Sequence, residues 1–516
     1  MLDRNCLAPN AVARWAADDP DAVALEHVDG ARLTYSDLHD DARSWAAALE
    51  SLGVRAGAGD HVATLLPNTF ESHRALLALG WLGAVEVPLN TAYVGRMLAY
   101  TLNHSDATTL VTVSAYSDHV DEIAKDLPTL ERVVVVDGDQ FRELAASSAP
   151  ADAAWPGPEY RDIHSLMYTS GTTGPSKAVI TPWAVMYQFW SWVPPDTLEP
   201  RDGLYCTMPM FHNSGRSAFN YAMVRGARFV LRDRFSATHF WDDVRALDCR
   251  TAALIGPMTS LVYSAPPSPD DADNPLRNVI LGPMIPEIDE FERRFDVRTA
   301  TCYGQTEVGI PVATGWDHGP WANCGRTRTD YPWPDAVVVD EYDQPVATGD
   351  VGELVVRSAE PWALNVGYYK MPEQTVAAWR NGWFHTGDAF RIDEDGWYYF
   401  VDRLRDTIRR RGENISSFEV ETLVAEHDDV LECAAIGVPA VHGEDDVLVA
   451  VIVRDPSTFD AGALVEFLEP RMPRFMLPRY VQVVDDLPRT EASMRVRKHE
   501  LRARGVPEGT YDREAP

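Results

Sequence analysis

Apolar positions recur at helical spacing through TYSDLHDDARSWAAALESLG, with a start signal at Ser36 and a stop at Gly53, and predict an amphipathic helix. Short β-branched runs predict buried strands in HVATLLPN (61–68), TTLVTVSA (108–115) and ERVVVVDG (131–138). ESHRALLALGWLGAVEVPLN predicts a helix that runs into a strand. The same rhythm continues in ARFVLRD, RTAALIGP and RNVILGP, each a short apolar run closed by Gly, Pro or a charge. Strands alternating with helices imply parallel sheets covered by helices, an α/β fold.

The pattern changes near residue 335. AVVVDEYDQPVATGDVGELVVRS predicts an antiparallel hairpin, and WYYFVDRLRDTIRRRGENIS (397–416) predicts strand, tight basic turn, strand. A shorter α+β segment follows: EVETLVAEH as a helix, AAIGVP and VLVAVIVRD as strands, ALVEFLEPRM as a helix. A chain of 516 residues exceeds one ordinary core. With a boundary near Asp402–Asp406, the expectation is a large multi-sheet α/β domain over 1–402 and a small α+β lid over 403–516.

Composition narrows the function classes. A formal net charge of −32 disfavours nucleic acid and anionic membranes as partners, and it requires local positive charge wherever an anionic ligand binds. Six scattered cysteines without a CxxC pair fit a reducing compartment. No signal-like or membrane-spanning apolar run is present, so a cytoplasmic enzyme without membrane insertion is expected. Only four lysines occur, Lys125, Lys177, Lys370 and Lys498. In a chain that otherwise writes Arg, each surviving Lys flags a place for a compact ammonium.

The segment YTSGTTGPSKAV (168–179) sets hydroxyls between glycines and ends on Lys177. Glycines let the backbone approach an anion, N–H groups and hydroxyls donate to phosphate oxygens, and Lys adds a point charge. It lacks the GxxxxGK[ST] spacing of the common phosphate loop. The competing reading is a flexible surface turn.

This segment resembles the signature loop of the adenylate-forming superfamily, which includes acyl- and aryl-CoA synthetases, luciferases and peptide-synthetase adenylation domains. YGQTE (303–307) resembles its second signature, GWFHTGD (382–388) the third, DRLRDTIRRRGENI (402–415) the fourth and LPRT (from 487) the start of the last. All stand in the family's order across about residues 165–500. The strings MPMFH and RRRGENIS resemble most the branch of carnitine/crotonobetaine-type CoA ligases.

The resemblance implies roles residue by residue. Thr169, Ser170, Gly171, Thr172, Thr173, Gly174 and Lys177 would hold the ATP phosphates. Glu307 would be the Mg²⁺ carboxylate, Thr306 would bind the α-phosphate, and Tyr303 and backbone at Gly282 would flank adenine. Asp388 would take the ribose hydroxyls with Arg403 as partner. The catalytic lysine of the last motif falls on Lys498 when the string is aligned from the right, with Arg495 replacing the motif's first lysine; Arg497 takes the slot if the register is one off. Arg405 occupies the hinge slot. Arg409, Arg410, Arg411 and Gly412 would line the pantetheine tunnel, or form a solvated turn. His212 would gate the acyl pocket, or pack as a core histidine; Asn213, Arg216 and Ser217 add polarity, and Tyr187 and Trp190 offer walls.

The expected activity is an ATP-dependent, AMP-forming acid–thiol ligase using Mg²⁺, with a small or aromatic polar acid and coenzyme A as substrates. A homodimer is compatible with it. Two alternatives stay open: an aryl diazotase that activates nitrite as an AMP anhydride for an aryl amine, and a non-catalytic nucleotide-binding relative.

Overall fold

A computed structural model describes residues 3–148, 155–169, 176–256, 258–327, 335–403, 406, 408–410, 413–440, 445–472, 474–489 and 496–515. Two compact units form, Met1–Ala336 with Val356–Phe384, and Val337–Val355 with His385–Pro516. These units are defined by packing, whereas the expected division into 1–402 and 403–516 concerns which part swings.

The first unit is α/β with two large sheets. One runs Arg132–Val135, Thr109–Thr112, His61–Leu65, Val85–Pro88, Ile163–Thr169, Lys177–Pro182, parallel until the last antiparallel pair. The other contains a parallel run of six strands: Arg298–Gln305, Asn278–Gly282, Cys249–Ile255, Gly203–Tyr205, Arg228–Leu231 and Val23–His27. Antiparallel strands Gly309–Ala313 and Asn323–Thr327 extend this sheet beyond Arg298–Gln305. The predicted strands therefore stand where the β-branched runs placed them.

The first predicted helix spans Tyr35–Ser51, and its cap is Thr34, not Ser36. Thr34 Oγ1 accepts from Asp37 N–H while Asp37 receives the Thr34 N–H, a reciprocal box that satisfies two end donors. Helix Phe70–Leu82 is buried along most of its length. Its His73 lies between the rings of Phe219 and Phe229, with centroids at 4.8 and 5.3 Å. Burial pushes the His73 pKa down to about 4, so the ring is neutral at pH 7.

The second unit is α+β. Val430–Pro439 pairs antiparallel with Asp445–Val453, which pairs parallel with Tyr480–Val483. Helices Ser417–Ala425 and Ala461–Leu468 bury Val420, Val424, Leu464 and Leu468 against this sheet. The basic hairpin forms as expected, Ile408–Arg410 against Glu413–Ile415. Among the described residues, no helix is long and apolar enough to cross a membrane.

Candidate active site

Thr169 and Lys177 are register partners at the mouth of an antiparallel hairpin. The tip, with Ser170, Gly171, Thr172, Thr173 and Gly174, lies outside the described residues. Two tyrosines fix the roots of this loop. Tyr100 O–H donates to Ser176 O at 3.0 Å, and Tyr168 O–H donates to Thr101 O at 3.1 Å. Both contacts reach helix Gly95–His104, which the motif alone does not single out.

Lys177 Nζ stands 4.7 Å from the ring centroid of Tyr368, a cation–π distance. The Tyr368 hydroxyl donates to Glu307 Oε1 at 3.1 Å. Segment 365–369 makes this junction by pairing with the lysine's own strand: Tyr369 N–H donates to Ala178 O, and Val366 N–H to Ile180 O. Asn365 then holds the Glu307 carbonyl through both its backbone and its side-chain N–H, at 3.0 and 2.8 Å. The first and second signatures are thus joined by Asn365 and Tyr368, which belong to neither.

Gly282, Tyr303, Thr306 and Glu307 lie at or just beyond the carboxyl ends of neighbouring parallel strands, the ligand side of an α/β sheet. Nothing stands within 4 Å of where a Gly282 side chain would begin, leaving room for a flat ring. Beyond Glu307, buried Gln188 receives Ile310 N–H at 3.1 Å and donates to Val308 O at 3.3 Å. Gly309 between them has φ +65, and a Cβ there would stand 1.3 Å from Gln188 Oε1. Only glycine fits beneath that amide.

His212 caps helix Asn213–Arg225, its Nδ1 accepting Ser214 N–H at 3.2 Å. The proton therefore sits on Nε2, and burial holds the ring neutral with a pKa of about 4. A neutral donor is available here, not a general base at Nδ1. Trp190 stacks on Tyr221 of the same helix, centroids 5.3 Å apart. Arg216 departs from its expected place as pocket polarity. It is fully buried, ion-paired to Glu86 at 2.9 Å, and donates to Met210 O at 2.7 Å. It ties the MPMFH segment to the sheet, because a buried guanidinium must be paired.

In the second unit, Asp388 and Arg403 are register partners, with Arg403 Nε 3.3 Å from Asp388 Oδ1. Glu353 clamps the preceding turn. It accepts Gly387 N–H at 2.9 Å and contacts His385 Nδ1 at 2.8 Å. In the sequence Glu353 reads as a plain hairpin residue. Its register opposite the HTGD turn is the signal that the string does not carry.

Lys498, expected at the reacting centre, begins helix Lys498–Arg504 and is held inside the unit. Its Nζ lies 2.8 Å from Glu421 Oε1 and donates to Ser417 Oγ. Arg497, the competing register, pairs with Glu500 at 2.9 Å. Arg410 also differs from a solvated or ligand-facing cation: it is 3 % exposed, paired to Asp446 at 3.0 Å and bonded to Leu477 O. Arg405, Arg411, Gly412 and Arg495 lie outside the described residues, as does the side chain of Arg409.

Among the described residues no three of His, Cys, Asp and Glu gather as a metal cage. Glu307 offers a half-buried hard oxygen donor beside Lys177's ring partner. That donor fits a magnesium ion carried by nucleotide phosphates, which needs one or two carboxylates and otherwise phosphate and water.

Comparison with known proteins finds matches over most of the chain. The family model for AMP-binding enzyme matches residues 12–369, and that for AMP-binding enzyme C-terminal domain matches 419–493. Crotonobetaine/carnitine–CoA ligase of Salmonella typhimurium is 30% identical over 504 residues, 93% of this chain and 96% of the relative. O-succinylbenzoate coenzyme A synthetase from Bacillus subtilis, solved with AMP, is similar with TM-score 0.84 at 25% identity, over 97% of this chain and 99% of that one. ATP-bound MatB from Rhodopseudomonas palustris is similar with TM-score 0.83 at 25% identity, over 96% and 99%.

Proposed function

The chain belongs to the AMP-binding enzyme family, and from that premise we propose that it is an ATP-dependent acid–CoA ligase for a small or aromatic polar carboxylic acid. The supporting observation is the Lys177–Tyr368–Glu307 junction at the mouth of the signature hairpin, which gathers a cation and a carboxylate where phosphates would lie. The full-length similarity to a CoA ligase supports the choice of thiol acceptor.

In the first step, a carboxylate oxygen of the acid attacks the α-phosphorus of ATP, the bond to the bridging oxygen breaks, and pyrophosphate leaves. Lys177 and the 169–174 loop hold the departing phosphates, Thr306 holds the α-phosphate, and Asp388 with Arg403 holds the ribose. Magnesium, when bound at Glu307, neutralises charge on the phosphates. Fixing two anions in line removes much of the barrier by positioning and electrostatics. In the second step the coenzyme A thiolate attacks the acyl carbon, and AMP leaves. The lid, 403–516, swings between the steps.

Nitrite activation for an aryl amine is the second reading, kept open by the altered last motif, in which Arg495 replaces the first lysine, and by Arg405 in the hinge slot. A pyrophosphate-release screen over carboxylates and nitrite, each with coenzyme A and with aryl amines, tests both. Acyl-CoA product supports the ligase. Turnover with nitrite and amine alone overturns it. Absence of ATP–pyrophosphate exchange with every acid would leave a non-catalytic nucleotide binder.

A further inference from the structure

The last motif enters the second unit through a chain of buried polar groups. Lys498 pairs with Glu421 at 2.8 Å and donates to Ser417 Oγ. Ser417 is wholly buried, and both its N–H and its hydroxyl donate to Asp402 Oδ2, at 2.6 and 2.7 Å. The other Asp402 oxygen accepts the Arg403 N–H at 2.7 Å. Arg403 is the cation beside Asp388. An unbroken path therefore runs from Lys498 to the proposed ribose pair.

Each link in this path is spent on its neighbour. Glu421 Oε1 also accepts Ala435 N–H at 2.7 Å, which fixes the carboxylate before the lysine arrives. The Lys498 side chain is 12 % exposed. Removing an ammonium from such a pair leaves a buried carboxylate without its counter-charge, a large loss. That is how a structural anchor is built, and it is poorly suited to a cation that must meet two substrates.

We propose that Lys498 is a positioning residue, which through Ser417 and Asp402 fixes the strand end bearing Arg403, the partner of Asp388 on the neighbouring strand, and is not the group that touches the reacting phosphate. The inference rests on the nucleotide reading of Asp388 and Arg403, and it predicts a distinct kinetic pattern. Loss of a positioning path to the ribose pair raises KM for ATP. Loss of a reacting ammonium lowers kcat for adenylation and leaves KM near its starting value.

The experiment is a double-mutant cycle on the full chain with Lys498→Met, Glu421→Gln and the pair together. The Glu421→Gln amide keeps an acceptor for Ala435 N–H, while the double variant removes both charges. ATP–pyrophosphate exchange and the urea midpoint are read for each. Each single variant is expected to raise KM for ATP about 10- to 100-fold and to lower the urea midpoint, and the double variant to return within about threefold of the parent. A double variant as inactive as Lys498→Met, beside a near-normal Glu421→Gln, overturns the proposal, because a reacting ammonium is not restored by deleting its partner. Faster exchange in Glu421→Gln also overturns it, since the pair would then be a latch on a reacting lysine. Single variants that match the parent overturn it too. Should the parent show no exchange, the ligase reading fails by itself, and the urea midpoints still measure whether the pair is an anchor.

Discussion

Glu307 and Glu421 each stand near one of the chain's four lysines, yet their surroundings differ in kind. Glu307 is half-buried and reaches Lys177 through Tyr368, whose hydroxyl it accepts while the ammonium sits over the ring. Glu421 touches Lys498 directly at 2.8 Å. Burial pushes the Glu421 carboxyl up, and Lys498 and the Ala435 N–H pull it partly back. An aromatic spacer keeps opposite charges near each other without cancelling them. Direct contact in a buried place consumes both. The first arrangement suits binding an outside anion and its metal, the second suits holding a domain together.

Four measurements can break or sharpen this contrast. Lys177→Ala and Glu307→Gln should each cut ATP–pyrophosphate exchange by about 10²- to 10³-fold, the scale for losing a group aimed at developing charge, with unfolding midpoints nearly unchanged. A large midpoint shift would make them structural, like Glu421.

Two buried groups should also respond to acid with opposite signs. His73 has a folded pKa of about 4, below the ordinary 6.5, so the unfolded chain takes up the proton first. Its contribution is full above pH 6.5 and falls by about 3 kcal/mol as pH drops to 4. Glu421 is raised above its ordinary value, so its term is full at low pH and lost as pH rises through the folded pKa. Urea melts across about pH 4 to 7 should lose part of the acid-side slope in His73→Met, while His212 keeps a similar share. An unchanged slope would remove His73 as one of its sources.

Tyr368→Phe keeps the ring beneath Lys177 and deletes the bond to Glu307. Exchange should fall about tenfold, with the magnesium dependence shifted to higher concentration. Equal loss at all magnesium concentrations would show that the hydroxyl does not tune Glu307. The smallest effect is expected from Glu353→Gln, which keeps an acceptor for Gly387 N–H and weakens the His385 contact. A rise of a few-fold in KM for ATP, with kcat unmoved, is expected.

Strands were legible because a buried strand writes itself locally: VVVV at 133–136 and VILG at 279–282 need no distant partner to be read. The phosphate and carboxylate motifs were legible as strings for the same reason. Partner choice was not. Arg216 reads as pocket polarity until Glu86, far away in the chain, is placed against it. Arg410 reads as one of three equal arginines, yet Asp446 takes it into the core. Thr34, rather than Ser36, caps the first helix because Asp37 reciprocates at the right offset. Tyr368, Asn365 and Glu353 act through hydrogen bonds across strands, a relation with no sequence period.

Asp402 stands at the expected swing point and accepts two donors from Ser417, while Lys498 and Glu421 both lie beyond it. If 403–516 turns as a body, the lysine pair travels intact and the Ser417 contacts are what must be exchanged, for water or for other donors. Two hydrogen bonds to a buried carboxylate amount to roughly 1–3 kcal/mol of preference for one arrangement over the other. That corresponds to a population ratio between about five and about 150. Ser417 would then act as a thermodynamic detent, setting how long the chain rests in one arrangement while leaving the intrinsic rate of either chemical step untouched.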